Sequence, residues 1–422
     1  MKKLFILLLI CFIVLPNLFA NDTAAEAAGT EEAEHDPFEG KKPFGIRDRA
    51  FEVGLNFEVF FANNFLTVGD IFKDTIVLDL SKSHDGFLAN LGFGVTPFFF
   101  NFDSRKGWGF GLSTGLEGTG VLSLSNNLWY LKPANRDNSY VNGALFATVQ
   151  AKSFFHIQKF KVTVNPGLFY PIVYFNTDVR YTFNNKYGED GGTMFFVDTD
   201  MRIFSAFPMN DEFHKPGLSA SPGFDITLGV QYPLAREIGL TEKIPFLDFD
   251  VSVNLVNLPI VSSSLKNYSR FQSTIGSDEN RFWIIGDEND GIDFDSTSEE
   301  THGTGNKSFS RPLKLLISAD WRPLLGSRFL TITPVLGLAH DDLHDQPISA
   351  EVGVRGTLNL ANLFISSLGI NYTDRKWVNS LDLTLNLRAF QLDLGVDMRS
   401  QALLKSWTAG GFAFRTGIRF GW

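Results

Sequence analysis

The chain finishes with GGFAFRTGIRFGW, Gly410 to Trp422, a stretch whose alternate residues have opposite character. One set is mostly aromatic or aliphatic and consists of Phe412, Phe414, Thr416, Ile418, Phe420 and Trp422. The other set is small or cationic and consists of Ala413, Arg415, Gly417, Arg419 and Gly421. An alternation of period two predicts a β-strand with different surroundings on its two sides. A strand that faces lipid on one side and a watery lumen on the other meets this requirement.

The same alternation recurs along most of the chain. In AFEVGLNFEVFFA, large apolar side chains from Phe51 to Phe61 oppose a set that includes Glu52 and Glu58, so the second face needs a polar interior. In LDLTLNLRAFQLDLGVDM the apolar phase changes at Ala389, which predicts a tight turn between two strands that both keep their apolar faces outward.

We therefore predict an all-β fold, a transmembrane antiparallel β-barrel of about 14 strands with long extracellular loops. The strands are expected near residues 50–62, 87–101, 107–125, 139–155, 160–175, 221–232, 246–258, 313–321, 328–338, 348–360, 364–372, 377–388, 390–399 and 407–422. Two more strand-like pieces lie within residues 176–220, and we interpret them as a hairpin inside the third outer loop. A barrel of about 16 strands is the alternative.

The connections differ in length on the two sides of the predicted barrel. Short ones are expected at residues 102–106, 156–159, 322–327, 361–363 and 389, and long ones at 63–86, 126–138, 176–220, 259–312 and 339–347. Short turns on one side and long loops on the other are typical of bacterial outer-membrane barrels. The expected location is therefore the cell outer membrane, with outer-membrane lipid and the barrel-assembly machinery as partners.

The amino-terminal part divides into two segments. Residues 1–20 place Lys2 and Lys3 before a short apolar run, as in a secretory signal peptide, and the only cysteine, Cys11, lies in that run. Residues 21–49 are acidic and small and are expected to form a flexible segment or a lumenal plug. Residues 50–422 then form the barrel.

Composition excludes some functions and favours others. The net charge is −10, which argues against nucleic acid as a partner because phosphate binding needs a basic surface. The chain has 43 phenylalanines, many in alternating runs, which suits contact with lipid. We identify no catalytic motif, expect no cofactor and no metal ion, and predict that the protein is not an enzyme.

Three stretches between or at the ends of strands are candidate sites. RFWIIG places Phe282, Trp283, Ile284 and Ile285 in a row between polar flanks, as a hydrophobic lid anchor or a capture site for an apolar ligand. HDDLHD, His340 to Asp345, has two imidazoles and three carboxylates, but we favour a solvated loop over a zinc site. The residues of the last strand expected to serve as a barrel insertion signal are Phe412, Phe414, Ile418, Phe420 and Trp422.

About fourteen strands, a signal peptide, a segment that could plug the lumen and long third and fourth outer loops together resemble the FadL-type family of outer-membrane transporters. The phenylalanine-rich strands and the terminal FGW also resemble uncharacterised barrels of spirochaetes. The first resemblance implies passive uptake of a hydrophobic small molecule, with residues 176–220 and 259–312 collecting it. The alternatives are a general porin, or a surface adhesin or structural barrel that transports nothing.

Overall fold

The computed structural model describes most of the chain after residue 48. The described residues are 49–63, 87–104, 106–125, 139–184, 194–207, 220–276, 295–324, 329–344, 347–373, 376–387, 389–400, 403–406 and 410–422. The predicted signal peptide and all of the acidic segment except Arg49 lie outside them. No helix in the described part of the chain is long and apolar enough to cross a membrane.

The described residues are almost entirely β-strand. The strands are β1 (Phe51–Asn63), β2 (Phe87–Asp103), β3 (Trp108–Leu124), β4 (Ser139–Ile157), β5 (Phe160–Asn184), β6 (Met194–Ser205), β7 (Ala220–Ser221), β8 (Gly223–Tyr232), β9 (Asp248–Val261), β10 (Ser263–Gly276), β11 (Asp295–Phe309), β12 (Leu313–Arg322), β13 (Leu330–His340), β14 (Ile348–Leu360), β15 (Phe364–Thr373), β16 (Lys376–Asn386), β17 (Phe390–Ser400) and β18 (Gly411–Gly421). Three one-turn helices are α1 (Leu234–Glu237), α2 (Leu240–Lys243) and α3 (Leu403–Ser406).

The strand segments form one closed antiparallel barrel, because β1 pairs with β18 as well as with β2. Some positions in the barrel wall are made of two or three strand segments placed end to end. Thus β6, β7 and β8 share one position beside β5, β9 continues into β10, and β11 continues into β12. Within the described residues the wall therefore has 14 strand positions, which confirms the predicted fold and decides against 16.

The two faces of the wall have the character that the sequence predicts. Outward residues are apolar and accessible, for example Leu336 and Leu368 at 61% and 65% exposure. Inward residues include Asp248 and Asp397, which are at most 1% exposed. A lipid-facing surface and a polar lumen explain this inverted distribution, since a soluble protein would place the leucines inside and the carboxylates in water.

The barrel closes at its lower rim, the end at which β1 begins and β18 ends. The amides of Ala50 and Phe51 donate to the carbonyl of Trp422, and the amide of Trp422 donates to the carbonyl of Phe51. The Arg49 side chain is buried and donates to the Asn386 side chain at 2.7 Å. The start of β1 and the end of β18 are thus hydrogen-bonded to each other, and Arg49 connects them to the β16–β17 turn.

The expected third and fourth outer loops, residues 176–220 and 259–312, need correction. Strand β5 continues to Asn184, β6 returns beside it, and β10 and β11 extend the wall further. The two strand-like pieces in the third loop are therefore part of the wall. Polar residues occupy both faces of DSTSEETHGTGNKSF, so hydrophobic alternation is absent there although the backbone pairs with β10 along most of its length.

Candidate functional site in the barrel lumen

An apolar cluster lies inside the barrel, on the lumenal face of the wall. Its buried members are Val121, Ala144, Phe146, Phe169, Tyr174, Ala206, Leu265, Phe309 and Leu343. Aromatic rings form its centre: Phe309 stacks on Tyr174 with 5.5 Å between ring centroids, and Phe146 lies 5.4 Å from Phe309 and 6.0 Å from Phe169. Leu88, Tyr140, Tyr170, Phe204 and Ala220 pack around it.

A bulge in β5 brings two of these rings to the same face. Phe169 and Tyr174 are separated by an odd number of positions, so a regular strand would point them in opposite directions. Opposite β4, the register shifts between Leu145 and Phe146, which leaves one extra residue in β5 next to Pro171. The extra residue restores Tyr174 to the lumenal face and thereby assembles the cluster.

Arg311, between β11 and β12, lies directly against the cluster. Its guanidinium is 5.8 Å from the centre of the Phe169 ring and donates to both carboxylate oxygens of Asp225, at 2.8 and 2.9 Å. It also donates to Asn257 at 3.0 Å and to Glu117 at 3.5 Å. Glu117 belongs to β3, and four strand positions of the wall separate it from Arg311, so this contact crosses the lumen.

The loop between β13 and β14 crosses the lumen at the upper rim, the end opposite the joined termini. Leu343 is 5% exposed and belongs to the apolar cluster. Its carbonyl accepts a 2.8 Å hydrogen bond from the side-chain amide of Asn142 on β4. The cluster is therefore bounded by Leu343 on one side and by Arg311 on the other.

The lower part of the lumen has a different chemistry. A cavity of about 510 Å³ is lined mainly by polar and charged residues, which are His156, Lys159, Lys161, Gln231, Pro233, Asp250, Asp320, Arg322, Thr331, Thr357, Asn359 and Ile365. Arg322 donates to Asp248 at 3.0 Å and also to Asp250. Arg236, on α1 outside the strands, donates to both carboxylate oxygens of Asp248, and these hydrogen bonds raise the pKa of its guanidinium above the ordinary value.

The wall formed by β16, β17 and β18 carries a second network of charges. Arg415 donates to both carboxylate oxygens of Asp397, at 2.7 and 2.8 Å, and to Asp382 at 2.8 Å. The guanidinium of Arg399 lies 4.7 Å from the centre of the Phe60 ring. Since the buried carboxylates are paired with arginines, this part of the lumen is polar without unbalanced charge.

The structure places the predicted site residues in different situations. Phe282, Trp283, Ile284 and Ile285 lie outside the described residues. The predicted insertion-signal residues lie on β18 except for Trp422, which follows it directly; Phe412, Phe414 and Phe420 are 40–52% exposed and Trp422 is 73% exposed.

The HDDLHD stretch, His340 to Asp345, begins at the last residue of β13 and leads into the loop before β14. His340 and Asp342 are exposed, Leu343 is buried in the lumen, and Asp345 lies outside the described residues. No group of three potential metal ligands is found among the described residues.

The lumenal cluster does not follow from the apolar residues on the lipid-facing phase of the strands. A signal for it exists in YVNGALFATVQ, where Phe146 falls in the same phase as Asn142 and Thr148. A large aromatic residue on the polar phase indicates an apolar patch inside the lumen.

Neither a protein-family model nor a curated protein sequence matches the chain. Among solved structures, the toluene transporter TodX of Pseudomonas putida matches at 9% identity and a TM-score of 0.45, covering 89% of this chain and 91% of that one. A Pseudomonas aeruginosa FadL homologue matches at 8% identity and a TM-score of 0.42, covering 89% and 90%. The chain resembles FadL-type channels.

This resemblance is confined to architecture. The translocator domain of the autotransporter NalP from Neisseria meningitidis also matches, at 9% identity and a TM-score of 0.33, covering 98% of this chain and 96% of that one. Barrels with different roles thus match at comparably low identity.

Proposed function

We propose that this protein is an outer-membrane channel that binds hydrophobic small molecules in its lumen and allows their passive uptake. The observation that carries the proposal is the buried aromatic cluster centred on Phe146, Phe169, Tyr174 and Phe309. Apolar residues inside an otherwise polar lumen contribute little to a water-filled pore. They provide the aliphatic and aromatic contacts by which ligand sites hold hydrophobic compounds.

The proposed location follows from the outside of the barrel. Large apolar side chains such as Leu336 and Leu368 are well exposed on the outer face of a closed antiparallel sheet. In water this surface would be costly, whereas in a bilayer it is the expected lipid-facing belt. The predicted signal peptide agrees with export to an outer membrane.

The lumenal contacts favour a binding channel over a general porin. Arg311 reaches Glu117 across the lumen, and Asn142 on β4 contacts Leu343 from the far side of the barrel. Both contacts narrow the lumen at the level of the apolar cluster. A planar-bilayer recording should therefore show little steady conductance, and a large open conductance would favour the porin instead.

Capture of the ligand outside the barrel remains a separate proposal for Phe282, Trp283, Ile284 and Ile285, which follow β10 in the sequence. If these residues collect hydrophobic molecules, replacing Trp283 and Ile284 with serine lowers probe affinity without lowering the melting temperature. Unchanged affinity with an intact melt would instead leave these residues as a lid anchor.

Binding of N-phenyl-1-naphthylamine, a neutral probe that fluoresces in apolar surroundings, tests the lumenal site in the refolded barrel. Phe146→Ala should weaken binding about 10-fold or more, because the probe loses its contacts with the ring; a 10-fold loss corresponds to about 1.4 kcal/mol. Val149→Ala is the matched control, since Val149 lies on the same strand and is 44% exposed on the outer face.

The melting temperature of each variant is measured in parallel. Weaker binding by Phe146→Ala in a barrel that still melts cooperatively, with unchanged binding by Val149→Ala, is the expected result. Absence of probe binding to the unmodified protein and to every lumenal variant would overturn the proposal.

A further inference from the structure

The loop between β13 and β14 combines a polar sequence with one buried apolar residue. In the stretch from His340 to His344, every residue except Leu343 is acidic or a histidine. The side chains of His340 and Asp342 are 48% and 57% exposed, whereas Leu343 is 5% exposed. The acidic and histidine side chains of this loop can be solvated by water outside the lumen. We therefore attribute the inward position of the loop to Leu343.

The local backbone of the loop presents Leu343 as a single projecting side chain. The Leu343 amide donates to the Asp341 carboxylate at 3.0 Å, and the Asp341 amide donates to the carbonyl of Pro347 at 2.8 Å. These bonds lie within the loop and stabilise its turn. The hydrogen bond from Asn142 to the Leu343 carbonyl connects this turn to the opposite wall.

Leu343 thus occupies part of the apolar cluster from the upper rim. We infer that Leu343 is an internal occupant of the lumenal site and that a neutral hydrophobic molecule binds by displacing it. This inference rests on the proposed function, because it assigns an occupant to the same cluster.

Displacement requires little rearrangement elsewhere. The turn keeps its internal hydrogen bonds, its acidic residues are soluble, and the Asn142 amide and the Leu343 carbonyl are polar groups that water can satisfy. Opening breaks the hydrogen bond from Asn142 and removes the apolar contact of the leucine, and a hydrophobic ligand restores the apolar contact by taking the leucine's place. The closed and ligand-bound lumens are then two states whose balance is set by the ligand's differential affinity.

Shortening the occupant tests this competition. With N-phenyl-1-naphthylamine as the probe, Leu343→Ala should bind at least about threefold and up to about 10-fold more tightly than the unmodified protein, since a weaker internal competitor leaves the site open more often. Leu338→Ala is the matched control, because Leu338 lies on β13 just before the loop and is 56% exposed on the outer face. Its affinity should not change.

A second measurement follows the loop directly. In a Cys11→Ser, Leu343→Cys variant the introduced thiol is the only one in the chain, and a water-soluble maleimide should label it slowly. Adding N-phenyl-1-naphthylamine should accelerate labelling severalfold, because the displaced residue enters water. The labelling rate of a Cys11→Ser, Asp342→Cys variant, whose position is already exposed, should not respond to the probe.

The outcomes separate the two proposals. Equal or weaker probe binding by Leu343→Ala, or a labelling rate of the Leu343→Cys thiol that the probe does not raise, would overturn the displacement while leaving a lumenal binding site in place. Absence of probe binding to both the unmodified protein and Leu343→Ala would overturn the proposed function as well. Tighter binding by Leu343→Ala together with probe-accelerated labelling supports both.

Discussion

The Arg311–Asp225 pair offers a direct test of how the lumen is held together. Asp225 is 1% exposed, and both of its carboxylate oxygens accept hydrogen bonds from the guanidinium of Arg311. Replacement of Arg311 with methionine keeps an apolar stem beside Phe169 but leaves the carboxylate buried without its cation. Removal of one partner from a buried ion pair costs about 3–5 kcal/mol of unfolding free energy.

The loss of unfolding free energy expected for Arg311→Met comes from the unpaired carboxylate rather than from the smaller size of the new side chain. Asp225→Asn leaves Arg311 with Asn257 at 3.0 Å and with Glu117 at 3.5 Å, so this variant should lose less than Arg311→Met. The double variant Arg311→Met, Asp225→Asn contains no uncompensated carboxylate at this position. Its loss should fall below the sum of the two single losses by about 0.5–3 kcal/mol, the usual coupling between contacting residues.

Urea unfolding of the refolded barrel in lipid vesicles, followed by tryptophan fluorescence, measures these free energies. The exposed pair of Lys159 and Glu237 serves as the control, since Lys159 is 60% exposed. Lys159→Met should cost less than about 1 kcal/mol, as surface ion pairs do. A loss below about 1 kcal/mol for Arg311→Met, or strictly additive losses in the double variant, would refute the reasoning.

Two further predictions concern the wall of the barrel. Leu336→Arg places a charge on the outer face and should cost about 2–4 kcal/mol, whereas Thr333→Arg on the same strand points into the lumen beside Asp320 and should cost about 1 kcal/mol or less. Equal losses in urea unfolding would show that the two faces are wrongly assigned. Deletion of Phe420 to Trp422 should abolish heat-modifiable migration in gels, because the closing bonds between Trp422 and the start of β1 are lost; normal migration would contradict this.

The positions of most strands could be predicted from hydrophobic alternation. The expected strand at residues 348–360 is β14 without any shift, and the turn expected at Ala389 joins β16 to β17. The extensions beyond the apolar belt could not be predicted in this way. Strand β11 has polar residues on both faces, and its pairing with β10 depends on backbone hydrogen bonds that leave no period in the sequence.

The lumenal site was also only partly predictable from the sequence. The polar phase predicted a polar lumen, and the carboxylates of Asp248 and Asp250 do point into it, toward Arg322. The identity of each arginine partner was not predictable, because Arg322 and Asp248 are far apart in the chain and meet only through the pairing of β9 with β12. Likewise, the HDDLHD stretch suggested a solvated loop but not a leucine inserted across the barrel.

The sequence by itself determined the two faces of each strand and therefore the closed barrel, since an apolar and a polar face on the same strand require lipid on one side and a lumen on the other. The tertiary structure decided what fills the lumen. A bulge turns Tyr174 inward beside Phe169, and closure of the sheet brings Leu343 into the same cluster and Arg311 against the Phe169 ring. Alternation is a local property of neighbouring residues, whereas contacts across a lumen depend on register and curvature summed around the whole wall.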